Sequence, residues 1–408
     1  MTRPVDIAII GGGIWGLSAA YHLAQAGAGR IVVFERNREM AQETTPRAAG
    51  LIGQIRSNPV MLGAVQYALD LLEQFAAQTG QDPGLRRTGS LMVGLTDERM
   101  AAFARQIERA QQLGLEADFV DAAEMTRLAP GLKTDGIAGG YFVAGDGYVD
   151  PGQCARAYGA AAQALGAEMA LGTAVTGIGV EAGQVVGVET EAGLVEAGQV
   201  LIAAGPWGGL LAQRIGFNPA VQTIRHQRVR TVPVADIPAH HPVVRVPDMS
   251  CYMRPEGGGY LYGFFEPEAS AVDMAQLPPG FTTADIEPPV AVMAEAQRRL
   301  APHFPLLAEL AVAQRFQGIT TFAPDGAYAL GPVPGIEGLF LASGCAALGI
   351  AGSAAIGRWL AGWMQSGDPG EDLAQFGLER FGEGADRAWV ARQSEQFYGS
   401  YYSIQAGE

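Results

Sequence analysis

The first 36 residues change hydrophobic pattern twice. Residues 5–10 (VDIAII) are an apolar run of strand length, and residues 30–36 (RIVVFER) are another. Runs of this kind suit strands buried on both faces. Between them, residues 14–26 read as a helix that stops at Gly27. Strand, glycine turn, helix and strand make the opening βαβ unit of a doubly wound sheet. Residues 60–80 and 97–113 then carry apolar side chains at helical spacing. Residues 151–166 predict a helix that starts at Pro151 behind Asp150 as N-cap. From 173 to 204 the pattern becomes short strands with glycine turns, and 223–265 again reads as β. Proline pairs at 278–279 and 288–289 mark loops, 290–301 predicts a helix, and 338–364 returns to strand, loop and helix.

This intermixing predicts an α/β and α+β protein with discontinuous domains. A Rossmann-like nucleotide-binding domain is expected from residues 1–85, 146–222 and 325–372. A β-rich substrate domain is expected from 86–145 and 223–324, with a helical tail over 373–408.

Composition narrows the function. The 42 acidic residues outnumber 27 basic ones, for a net charge of −15, which argues against a nucleic-acid or anionic-membrane surface. Cys154, Cys251 and Cys345 are odd in number and far apart, with no zinc spacing, so a reducing cytoplasm is expected. Residues 3–29 begin like a signal peptide, but Asp6 and the glycine triplet break the pattern. Residues 338–357 carry no charge, yet five glycines divide them. They read as a strand, a loop and a buried helix, with no membrane span.

Gly11-x-Gly13-x-x-Gly16 lies between the first strand and its helix. Gly11 allows the tight turn, Gly13 the approach of a pyrophosphate, and Gly16 close helix–strand packing. Glu35 closes the second strand, 19 residues after Gly16, where a carboxylate can bond ribose hydroxyls. Residues 36–59 are a small-residue loop rather than the next helix of a nicotinamide domain. A second small-residue stretch, ASGCAALGIAGSAAIG (342–357), precedes a late helix and could lay amides against a flavin ring. Sites at both ends of the chain suit the extended dinucleotide FAD.

The motifs GGGIWG, FER, TTPRAAGL, VLIAAGPW, FAPDGAYALGPVPGIEGLFLASG and GIAGSAAIGRWLAGWM resemble the FAD-dependent amine oxidoreductases of the D-amino-acid oxidase fold. RHQRVRT, CYMRPEGGGYLYGFFEP and the tail FGLERF…WVARQSEQFYGSYYSI resemble the dimethylglycine and sarcosine dehydrogenases more narrowly. The resemblance covers nearly the whole chain. It implies FAD contacts at Gly11, Gly13, Ile14, Trp15, Gly16, Glu35 and Arg36. Others are implied at Thr44, Thr45, Arg47, Ala48, Ala49 and Gly50, and at Val175, Ala204, Gly205 and Trp207. A last group comprises Gly344, Ala347, Leu348, Gly349 and Ile350.

Many such relatives have a flavin-linking histidine where this chain has Arg47, so FAD is expected to be held non-covalently. They also continue into a folate-binding domain. This chain stops at Glu408, so one-carbon transfer on the same polypeptide is not expected, and the imine product should hydrolyse or pass to a partner.

The nine residues TIRHQRVRT set Arg225, Arg228 and Arg230 around His226. The resemblance implies that His226 and Tyr252 are catalytic and that Arg56, Arg228 and Arg254 contact substrate. Strand alternation puts His226, Arg228 and Arg230 on one face, and Tyr252 with Arg254 on one face. Arginine can hold a carboxylate at two points, and the imidazole can help keep the amine neutral. Neutrality is needed because the nitrogen lone pair forms the imine as hydride leaves for flavin N5. His240 and His241 read as loop, and Cys345 as a small buried filler. Arginine supplies 26 of the 27 basic residues, leaving Lys133 as the single lysine. Several oxidases of this fold resemble one another in a lysine over the flavin, so a dehydrogenase using a carrier protein or quinone is favoured over an O2-dependent oxidase.

The expected function is oxidation of a secondary or tertiary amine, such as an N-methylated amino acid. Two alternatives stay open: 2-hydroxy-acid oxidation on the same fold, and a non-catalytic flavin-binding regulatory subunit. A partner subunit fits either.

Overall fold

The computed structural model describes residues 4–56, 58–382 and 385–404. Its first sheet runs Ala329–Pro332, Leu339–Ser343, Gly193–Ile202, Val5–Ile10, Ile31–Glu35, Glu168–Leu171. The four pairings from Leu339–Ser343 across to Glu168–Leu171 are parallel, with Ile9 opposite both Leu201 and Val33. The hairpin Val175–Glu181 and Gln184–Thr190 extends antiparallel from Gly193–Ile202.

Why the first strand is apolar at nearly every position is now plain. Ile7 and Ile9 enter one core with Leu17, Leu201 and Trp359, while Ala8 and Ile10 enter another with Val200, Ile202 and Leu341. A strand buried on both faces cannot alternate apolar with polar residues. Two helices of the first core begin where the sequence predicts. Asn58 accepts from the N–H groups of Val60 and Met61 ahead of Pro59–Thr79, and Asp150 accepts from Gln153 N–H ahead of Pro151–Ala164. Such caps satisfy amides that a helix start leaves unbonded.

The second sheet runs Val312–Phe322, Gln222–Thr231, Gly259–Phe264, Cys251–Glu256, Val243–Val246, Ser90–Gly94, Gly139–Val143, Asp118–Val120. It is antiparallel except where Val243–Val246 meets Ser90–Gly94. Helix Val290–Leu300 buries Met293, Ala296 and Leu300 against Val229, Met253 and Tyr262. That spacing is one face of a helix.

Residues 338–357 form the strand Leu339–Ser343, a turn, and the start of helix Ser353–Ser366. Among the described residues no helix is long and apolar enough to cross a membrane. The helix Arg387–Gly399 follows its cap Asp386, and the chain beyond returns Tyr401 and Tyr402 to the interior.

Candidate active site

One cavity of about 1180 Å³ joins the edge of the first sheet to the second. That exceeds the range of drug-sized pockets and suits a long ligand with room for a second molecule. At one end it is lined by Gly11, Gly13, Ile14, Trp15, Glu35 and Arg36, with Val175, Ala204, Gly205 and Trp207. Its middle is lined by Thr44, Thr45, Arg47, Ala48, Ala49 and Gly50, facing Ala347, Leu348, Gly349 and Ile350.

The glycine turn is built for close approach. Gly11 has φ +113°, and a Cβ there would lie 2.5 Å from the carbonyl oxygen of Ala203. The helix Ile14–Gln25 has neither a side-chain cap nor an acidic residue in its first turn. Apart from Ile14 N–H, which Thr45 Oγ1 accepts, the first-turn N–H groups have no side-chain partner among the described residues, and with the positive end of the helix they suit a phosphate. Glu35 Oε2 accepts from Gly12 N–H at 2.8 Å, and its Oε1 accepts from Asn37 N–H at 2.8 Å. Arg36 stacks over Trp207, 3.9 Å from the ring centroid, and pairs with Glu43 at 2.6 Å. Burial opposes the charge on Glu43, but the Thr283 N–H and hydroxyl, with Arg36, outweigh it and hold its carboxyl below the ordinary range. These residues fit an adenosine diphosphate group, with the uncapped turn taking the phosphates.

The loop from Thr44 to Gly50 is tied down by the second sheet. Thr44 Oγ1 donates to Ile319 O at 2.8 Å, and Thr45 Oγ1 accepts from Ile14 N–H at 3.2 Å. Arg47 donates to the carbonyls of Gln42 and Glu43 at 2.6 and 2.5 Å. Trp15 Nε1 donates to Gly349 O at 2.8 Å, joining the first helix to the late small-residue turn.

At the far end His226 and Tyr252 line the cavity with Phe265, Tyr401 and Tyr402. His226 Nε2 lies 2.9 Å from Tyr252 Oη, and its Nδ1 lies 2.9 Å from Tyr398 Oη. Their positions follow from the register of the strands. Gly318 stands opposite His226, and Gly263 stands opposite Tyr252, where any side chain would strike the phenol. Burial, helped by Arg225, pushes His226 down to about 3. The imidazole is thus neutral at ordinary pH. Burial also raises the phenol of Tyr252.

Four of the expected contacts lie off the cavity wall. Arg228 and Arg254 do not line the cavity. Both are buried and bonded to Glu256, at 2.7 and 2.8 Å. Arg228 also donates to Arg47 O and Pro46 O, and Arg254 to Ala49 O. Glu256 takes up the charge of both: it follows Arg254 by two residues on the same strand and lies two strands across the sheet from Arg228. Gly16 and Gly344 also lie off the cavity wall. Gly16 packs against the Gly11 carbonyl, and Gly344 N–H donates to Thr321 Oγ1 at 3.0 Å.

Besides Arg105 and Arg109, the arginines that line the cavity on this side are Arg56 and Arg245. Sequence reasoning missed Arg245, although a lone charge in the apolar run PVVRV was a usable signal. Neither makes an ion pair among the described residues, and Arg245 makes no hydrogen bond among them. The Nε of Arg56 is buried without a partner. Asp146 approaches the same face of Gly53 as Arg245 and is bonded to Gln54. Burial raises the Asp146 carboxyl, and Arg245 works in the opposite direction. Tyr141, Tyr401 and Tyr402 feel the charges of both Arg56 and Arg245, so the two guanidiniums share one tyrosine-walled chamber. Lys133 lies away from the cavity, in a loop bonded to His303. No cluster of metal-ligating side chains occurs among the described residues.

The family description "FAD dependent oxidoreductase" (DAO) matches residues 6–363. The chain is 30% identical over 402 residues to 4-methylaminobutanoate oxidase (formaldehyde-forming) of Paenarthrobacter nicotinovorans, covering 98% of this chain and 48% of that protein. It is 28% identical to the mitochondrial dimethylglycine dehydrogenase of Rattus norvegicus, covering 97% and 47%. The chain thus spans about half the length of these relatives. Glycine oxidase from Geobacillus kaustophilus superposes with a TM-score of 0.80 at 25% identity, over 93% of this chain and 99% of that one. The L-proline dehydrogenase of P. horikoshii has the same fold, with a TM-score of 0.83 at 22% identity, over 93% and 98%.

Proposed function

This chain belongs to the DAO family of FAD-dependent oxidoreductases, and on that premise we propose that it oxidises the C–N bond of a secondary or tertiary amine bearing a carboxylate, such as an N-methylated amino acid. The observation that carries this reading is the pair Arg56 and Arg245, two guanidiniums without ion-pair partners among the described residues, in the same chamber as His226 and Tyr252. Both guanidiniums are half-buried at the cavity wall, where a ligand carboxylate can take a charge-assisted, two-point hydrogen bond from either. The relatives named for methylaminobutanoate and dimethylglycine support the substrate class, since both names denote N-methylated amino acids.

The glycine turn, Glu35 and Arg36 would hold the adenosine diphosphate half of FAD, and the Thr44–Gly50 loop with Ala347–Ile350 would hold the ring half. When bound, FAD accepts the two electrons released from the C–N bond. Arg245 and Arg56 bind the carboxylate and so fix which carbon faces the ring. Phe265 and Tyr401, stacked with centroids 4.1 Å apart, wall the chamber against water beside His226. A dry chamber disfavours a charged amine, so the substrate reacts as its free base. No lysine lines the cavity, which supports an acceptor such as a carrier protein or quinone over efficient use of O2.

The test is anaerobic reduction of the flavoprotein, followed by loss of its visible absorption. N-methylated amino acids, cyclic imino acids, D-amino acids and 2-hydroxy acids would be compared. Bleaching by N-methylated amino acids is expected. Bleaching by hydroxy acids alone, or by no substrate, would refute the reading.

A further inference from the structure

We propose that Tyr398 sets His226 as its Nε2–H tautomer, so that a hydrogen-bond chain runs outward from Tyr398 through His226 to Tyr252, and Tyr252 offers its O–H to the substrate cavity. The three side chains come from three elements: Tyr398 from Arg387–Gly399, His226 from Gln222–Thr231 and Tyr252 from Cys251–Glu256.

A neutral imidazole has one N–H and one lone pair. With a phenol 2.9 Å from each nitrogen, the chain can run only one way or the other. In the inward sense Tyr252 donates to Nε2, and Nδ1–H donates to Tyr398. The Tyr398 O–H would then need an acceptor of its own. Tyr398 has no exposed surface and does not line the cavity. Among the described residues, His226 is the partner that its oxygen meets at hydrogen-bonding geometry. The inward sense therefore buries a donor unmade, which costs its full desolvation.

The outward sense has no such penalty. Tyr398 donates to Nδ1, Nε2–H donates to Tyr252, and the Tyr252 O–H reaches the cavity, where solvent or ligand accepts it. Each bond in such a chain polarises the next.

Two consequences follow. First, neither nitrogen of His226 offers a lone pair to the cavity: one carries a proton and the other is filled by Tyr398. His226 then cannot take a proton from the substrate amine, which overturns the role the sequence suggests for it. Second, and resting on the substrate class proposed above, Tyr252 is a donor and its partner is an acceptor. A carboxylate oxygen shared with Arg245 and Arg56 meets that need. Tyr398 touches none of the reacting groups and acts as a positioning residue.

The experiment uses the flavoprotein labelled with 15N-histidine. There are five histidines, and the His226→Asn variant identifies the signals of His226. At neutral pH, Nε2 is expected to carry the proton and Nδ1 to be a hydrogen-bonded acceptor. A proton on Nδ1 would overturn the proposal whether or not any amine is oxidised. Conversely, failure of every amine to bleach the flavin, with this tautomer present, would count against the functional reading alone. In Tyr398→Phe the ring keeps its packing against Phe265 and Phe322. The Nδ1 signal should move to that of an unbonded acceptor. Acetate, titrated against the flavin spectrum, should bind about fivefold more weakly. KM should rise by a similar factor, with the limiting rate of flavin reduction nearly unchanged. An unmoved Nδ1 signal with unmoved acetate affinity would remove Tyr398 from this role, and should that variant not fold, the wild-type tautomer still decides.

Discussion

Arg254 donates from Nε to the carbonyl of Ala49 at 2.7 Å. An arginine that the sequence offers to the substrate is instead a clamp on the loop that would hold the flavin. Arg228 does the same for Pro46 and Arg47, and Glu256 holds both guanidiniums. Glu256→Gln leaves two buried cations short of a counter-charge, at a cost of about 3–5 kcal/mol. Its melting temperature should fall, and FAD should leave more readily on dilution, as read by rising flavin fluorescence. Unchanged flavin retention would show that the loop does not depend on this clamp.

Arg245 should govern affinity for the substrate carboxylate. A charge-assisted hydrogen bond contributes about 1.5–3 kcal/mol, so Arg245→Met should raise KM for an amino-acid substrate roughly 10- to 150-fold. Flavin content should stay as in wild type, because Arg245 makes no hydrogen bond to the Thr44–Gly50 loop. Steady-state kinetics with a substrate and its uncharged ester would separate this effect from general damage. Equal losses for both would count against a carboxylate contact.

The resemblance implies a flavin-linking histidine in many relatives where this chain has Arg47, whose guanidinium is engaged with the carbonyls of Gln42 and Glu43. Acid precipitation should therefore release the yellow cofactor into the supernatant. Flavin retained in the pellet would mean that another side chain forms a covalent link.

Acid should destabilise the fold through its buried imidazoles. His22 Nδ1–H donates to Ser18 O, Nε2 accepts from Tyr67 Oη, and burial pushes the imidazole down to about 4. Its folded-state value lies below its unfolded value near 6.5, so the unfolded chain takes up the proton first. Stability is full above about pH 6.5 and is lost as pH falls toward 4, at about 1.4 kcal/mol per pH unit. His226 acts in the same sense. Chemical denaturation of wild type and His22→Gln between pH 7 and 4.5 should show a shallower slope for the variant. Parallel slopes would mean that His22 is charged in the native state.

The chain order of apolar runs and breakers was enough to read the opening βαβ unit, because a strand buried on both faces must be apolar throughout and a phosphate turn must be glycine. The same local logic located Gly11, Gly13, Glu35 and the two small-residue loops, each specified by its own neighbours in sequence. It also brought His226 and Tyr252 into view through their motifs. It could not separate arginines that face a ligand from arginines that face another side chain. Arg228 and Arg254 look like substrate contacts until Glu256 is seen beside them, and Arg245 looks like a stray charge until the chamber with Arg56 forms around it. Tyr398 lies 172 positions from His226 along the chain. The side-chain period of a strand says which face a residue takes, but what occupies that face is decided by strands and helices brought from elsewhere in the chain. Charge compensation and hydrogen-bond direction depend on those partners, and only the tertiary structure supplies them.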